Sequence, residues 1–148
     1  MFKLTSNKIV LTLVLIALSS VNLFGDNIRI IIEITGVVVN GGNVHVDVFT
    51  NEQDYRRGIS FTTFVLESRN NTLVYELELP EGYCLIWAFQ DTNNNGRLDT
   101  NIFGIPREPV AMTNYSGIGN IGNFNRHKIA VNSGTAKISI NLAIPRLR

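Results

Sequence analysis

One cysteine, two histidines and a charged fraction of only 17% stand in a chain of 148 residues, and each scarcity closes a class of function. With Cys84 alone, an exported chain has no internal disulfide and must be held by its core or by something bound. Cys84 sits in the apolar run Tyr83–Phe89 with no histidine or basic residue beside it, so it reads as a small buried hydrophobe, not a reactive thiol. No cysteine near residue 20 offers a point of lipid attachment. No G-x-S-x-G, H-E-x-x-H or paired Cys/His spacing occurs, which leaves recognised hydrolase and zinc chemistry without a foothold. Charge of one sign is lacking too: the formal net charge is +1, so nothing suggests a polyanion-binding surface and no nucleic-acid partner is expected.

A run long enough for a membrane span, about 20 apolar residues, is also missing. What stands at the N-terminus is Lys3 and Lys8, an uncharged stretch from Ile9 to Leu18, then small and polar residues. That order is expected of a secretory signal peptide over residues 1–25, followed by one domain over 26–148. Its removal takes two lysines and no acid, leaving 11 basic against 12 acidic residues, a net of −1. The implied compartment is outside the cytoplasm, periplasmic or extracellular, and the chain is expected to be a monomer.

From residue 28 onward the pattern has period two, which in a strand sends alternate side chains to opposite faces. Ile28, Ile30, Ile32 and Ile34 share one face, and Val44, Val46 and Val48 repeat the pattern after a turn-rich Asn-Gly-Gly-Asn. Phe64 and Leu66, then Leu73 to Leu79, give a third and a fourth strand. Tyr83 to Phe89 is apolar on both faces and is expected to be central. His127–Val131 and Ala136–Leu142 complete seven strands, and no segment has a helical period. The pattern predicts an all-β fold: a seven-stranded antiparallel β-sandwich, immunoglobulin-like or transthyretin-like, with one long ordered loop between strands five and six. Burying each Ile, Val, Leu or Phe is worth about 1.5 to 3 kcal/mol, enough for such a core to offset chain entropy without a disulfide.

The long loop, residues 90–126, is too apolar for disorder and too long for an idle connection. It opens with oxygen-bearing side chains at positions 1, 3, 5 and 9 counted from Asp91: Asp91, Asn93, Asn95 and Asp99, with Gly96 at 6 and Arg97 at 7. A loop of EF-hand type wraps Ca2+ in this order, with a glycine at the sharp turn and the position 7 carbonyl, here that of Arg97, as a ligand. Ile102 stands at position 12, where that loop needs a bidentate Glu, and no helices flank it, so this is not an EF-hand. Asp99 itself or Glu108 is the candidate for the missing carboxylate. The competing reading is a plain turn, since Asn and Gly tolerate positive φ. Asp91, Asp99 and Glu108 could in principle pair as a glycosidase acid and base, but within one loop they serve better as ligands, and no enzyme is expected.

Gly117, Gly119 and Gly122 spell G-x-G-x-x-G, yet they neither follow a strand nor open a helix and have no acidic residue about 20 positions on. A nucleotide is therefore not expected, and the glycines read as loop geometry. His45 and Asp47, two apart on a strand, read as a solvated pair. Along Gly82–Tyr83, Asp91-x-Asn93-x-Asn95-Gly96-x-Leu98-Asp99, Gly104-Ile105-Pro106-Arg107-Glu108 and Asn114, the chain resembles the exported bacterial family known as domain of unknown function 2141. Gln90, where a His is common, and Pro109–Thr113, in place of a Gly- and aromatic-rich run, depart from that pattern. The resemblance implies an envelope or secreted protein without an assigned activity and carries no catalytic residue over. Two functions are expected to compete: an envelope module with a calcium-stabilised loop, and a carbohydrate- or peptide-binding module whose loop presents Phe103, Tyr115 and Phe124. An envelope protein or a glycan would be the partner.

Overall fold

The computed structural model describes residues 27–119 and 121–146; the expected signal peptide lies outside them. Eight strands form two sheets. In chain order they are β1 (Asn27–Thr35), β2 (Val44–Phe49), β3 (Thr62–Leu66), β4 (Leu73–Pro80), β5 (Gly82–Gln90), β6 (Val110–Met112), β7 (Ile129–Val131) and β8 (Lys137–Asn141). The first sheet runs β4-β1-β8; the second runs β3-β2-β5-β6, with β7 also on β5.

Alternation decides which side chains meet. Ile30, Ile32 and Ile34 of β1 are buried, and Ile32 stands opposite Tyr75 of β4 and Ile138 of β8. Across the interior they face Val44, Val46 and Val48 of β2 and Cys84, Ile86 and Ala88 of β5. One core thus lies between the two sheets, and all its fully buried members fall between Ile30 and Leu142. β5 is central as its composition required, paired with β2 along one edge and with β6 and β7 along the other.

The structure differs from a seven-stranded antiparallel arrangement in two ways. Val110–Met112, inside the expected loop, is an eighth strand, because its three apolar residues pair with Trp87–Phe89 and extend the sheet. The β1–β8 pair is parallel, since the chain leaves β7 through the Asn132–Gly134 turn and crosses to the other sheet instead of forming a hairpin. Two short helices are present as well. α1 (Glu52–Arg57) is capped by the Asn51 side chain at its start and by left-handed Gly58 at its end; α2 (Phe124–His127) is capped by the Asn123 side chain. Of α2 only its last residue, His127, belongs to the expected sixth strand; Phe124–Arg126 close the expected loop, and six and four residues are too few to print a helical period.

A second apolar cluster lies on the outer face of β5, where Phe49, Leu85, Met112 and Phe124 pack with Tyr55, Trp87, Tyr115 and Ile121. It explains why β5 is apolar on both sides, and it is the floor on which the long loop rests.

Candidate functional site

The polar loop starts where β5 stops, and three contacts fix its base. The Asp91 amide donates to the Asn43 carbonyl at 2.8 Å. Gly42, at φ +91°, lies so close beneath that a Cβ there would stand 1.8 Å from the Asp91 carbonyl oxygen. Gln90 is fully buried and clamps the β1–β2 connection: its Oε1 accepts from Val38 N at 2.9 Å, and its Nε2 donates to the carbonyls of Val38 (2.7 Å) and Gly42 (3.1 Å). Sequence reasoning missed both roles. Only the glycine left a signal, in the Gly-Gly of a connection already read as a turn.

From this base the chain wraps around its own side chains. Asp91, 2% exposed, accepts from the amides of Asn95 (3.1 Å) and Gly96 (2.8 Å) with its two oxygens. Asn93 Oδ1 accepts from Asn95 N at 3.1 Å, and Asn95 Oδ1 accepts from Arg97 N at 2.9 Å. Asn94 and Gly96, both in the left-handed region, make the sharp turns. The far side closes on Asp99, whose carboxylate receives Asn93 Nδ2 at 2.6 Å and Asn95 Nδ2 at 3.1 and 3.2 Å. Asn93, Asn95 and Asp99 thus bond to one another, and Asp91 joins this network through the Asn95 amide.

Glu108 occupies a different post. It is buried, and its Oε1 accepts from the Thr92 amide (2.7 Å) and hydroxyl (3.0 Å) while Oε2 accepts from Asp99 N (2.9 Å). It ties the two ends of the loop together, and its oxygens are already engaged. Among the described residues no three His, Cys, Asp or Glu side chains gather as a metal-binding group. A cation here would rest on two carboxylates, with amide and main-chain oxygens for the remainder. Among the described residues, the basic side chain paired with Asp91 is His45, whose Nε2 stands 3.7 Å from Asp91 Oδ2 and whose ring stacks on Phe89. Asp47 turns away to the hydroxyls of Ser60 and Thr63, so His45 and Asp47 do not pair.

Beyond Asp99 the aromatic candidates separate. Phe103 is 81% exposed; Tyr115 is half-buried and donates its hydroxyl to the Gly119 carbonyl at 3.0 Å; Phe124 is 4% exposed and belongs to the second cluster. Phe103 and Tyr115 face a cavity of about 590 Å3 together with Ile105, Pro106, Ile121 and Pro145. Gly117, Gly119 and Gly122 all take positive φ in a loop, as turn geometry requires. His127, fully buried beside Tyr115, holds the Asn114 carbonyl with Nδ1 at 3.1 Å.

No curated protein and no solved structure matches the chain. A family model does match, over residues 32–139, from within β1 to within β8 and including the whole polar loop. The chain therefore belongs to the family described as uncharacterized protein conserved in bacteria, DUF2141.

Proposed function

We propose that this chain is an exported, non-catalytic module of the cell envelope, a sandwich of immunoglobulin-like or transthyretin-like kind, whose Asp91–Asp99 loop takes one Ca2+. The observation that carries the reading is the buried Asp91 carboxylate, linked through Asn95 to the carboxylate of Asp99, which Asn93 also meets, with neutral donors at every contact of Asp91 but His45. Withdrawing a carboxylate from water costs free energy that neutral amides repay only in part, and a hard cation repays it fully. On binding, the Asn93 and Asn95 amides turn their oxygens toward the ion in place of Nδ2, and the Arg97 carbonyl completes the shell. Glu108 holds the loop's ends rather than the metal. Millimolar calcium outside the cytoplasm saturates even a modest site.

At free calcium about 100 times the dissociation constant, binding adds roughly 2.7 kcal/mol to the folded state and raises the melting temperature by several degrees. Melting with calcium, with chelator, and as Asp91→Asn and Asp99→Ala reads this directly. A melting temperature indifferent to calcium in the unsubstituted protein reduces the stretch to a turn.

A second reading, a carbohydrate- or peptide-binding module, is favoured by exposed Phe103 and the cavity it borders with Tyr115. Phe124, packed in the second cluster, takes no part in it. A glycan-array screen without a binder counts against the sugar.

A further inference from the structure

Residues 99–107 form a hairpin of their own. Arg107 N donates to the Asp99 carbonyl at 2.8 Å, Thr100 and Pro106 form an antiparallel bridge, and Asn101 N donates to the Ile105 carbonyl at 2.9 Å. Asn101 also turns the tip, its Oδ1 accepting from the amides of Phe103 and Ile105 and its carbonyl from Gly104 N. The amides of Asn101, Phe103, Gly104, Ile105 and Arg107 are therefore satisfied within the hairpin. What it holds out to solvent is Ile102, 93% exposed, and Phe103, 81% exposed.

Arg97 precedes this tip in the chain and Arg107 follows it. Both are exposed, and neither forms an ion pair among the described residues. Two large apolar side chains at a turn, with exposed arginines before and after them in the chain, match the chemistry of an anionic lipid surface: the ring and the branched chain enter the acyl boundary and the arginines meet headgroup phosphates. A second copy of the chain is a poorer occupant. Two such side chains offer only a few hundred Å2, against about 1,200 Å2 or more in a stable protein interface.

We infer that the Ile102–Phe103 hairpin is a reversible anchor for an anionic lipid bilayer. Its strength, though not its existence, rests on the calcium reading. Residues 91–108 carry two arginines against three carboxylates, a net of −1, and a bound divalent ion makes the segment +1. Calcium then turns repulsion from an anionic surface into attraction.

Cosedimentation of the chain from Asp26 onward with phosphatidylglycerol and with phosphatidylcholine vesicles tests this, in calcium and in chelator. Replacing both tip residues, Ile102→Ser with Phe103→Ser, is expected to lower partitioning by about tenfold per side chain, with the melting temperature unchanged because neither is packed. Arg97→Gln and Arg107→Gln are each expected to cost about fivefold on phosphatidylglycerol and nothing on phosphatidylcholine. Equal binding in calcium, in chelator and as Asp99→Ala keeps the anchor and removes the cation from it. Wild-type binding by the double serine variant overturns the proposal, as does no binding to any vesicle. So does a concentration-dependent dimer that the serine variant loses, which would make a second copy the occupant.

Discussion

Cys84 shows what one residue contributes in a core without disulfides. It is free and buried beneath the opposite sheet, and that burial pushes its thiol up to about 12 from an ordinary 9.0. The sign of the consequence follows. Below pH 9 the thiol is neutral in both folded and unfolded chains and stability does not depend on it. Above pH 9 only the unfolded chain ionises, so stability falls as pH rises, by about 1.4 kcal/mol per pH unit, until the folded thiol titrates. Urea unfolding at pH 9 and 10 is expected to show this loss, before the phenols of Tyr55 and Tyr115, which burial also raises, add their own. In Cys84→Ala the slope over that interval should vanish. The thiol's burial was legible because apolar neighbours on a two-sided strand leave a cysteine nowhere else to point.

Among the elements, the polar loop and the hairpin share Asp99, and Glu108 joins them from below. In the structure Asp91, Asn93, Asn95 and Asp99 share one hydrogen-bond network, and the sequence shows only which residues in this stretch bear oxygen. It does not show that a fifth, Glu108, is consumed by backbone amides: spacing along a chain says nothing of which lone pairs a neighbouring turn will claim. The same limit hid the hairpin, since its tip is apolar where turns are usually polar, and it hid Gln90, whose partners lie about 50 residues away. Glu108→Ala removes the buried acceptor shared by the Thr92 and Asp99 amides, and at about 1 to 2 kcal/mol for each hydrogen bond lost the expected cost is roughly 2 to 4 kcal/mol. Thermal or urea unfolding in chelator measures it without interference from a cation. A loss below 0.5 kcal/mol would mean that water replaces the carboxylate freely.

For the whole molecule, the period-two pattern specified the core faces, whereas the path of the chain after β7 was not legible. The parallel β1–β8 pair and the pairing of β6 depend on long-range register, which no local period encodes. That register makes the loop part of the fold. Val110 exchanges hydrogen bonds with Ala143 at 2.9 and 3.0 Å, Gln90 N reaches the Pro109 carbonyl at 2.9 Å, and Thr113 N reaches the Ile86 carbonyl at 3.1 Å. Leu85, fully buried on the outer face, then packs against Met112 and Phe124 beneath the loop, while Ile86 packs in the core between the sheets. If both clusters belong to one cooperative unit, the amides of β6 exchange with solvent as slowly as those of β5, at the free energy of global unfolding. Leu85→Ala should cost about 2 to 5 kcal/mol, as much as Ile86→Ala. It should also lower the protection of β1, which lies in the other sheet and does not touch Leu85. Hydrogen exchange followed by mass spectrometry separates the cases: a β6 that exchanges well ahead of β5, with β1 untouched by Leu85→Ala, would make the excursion a separately melting layer. The proposed cation and the apolar tip would then act on a flap laid over the sheets and no longer on the fold itself.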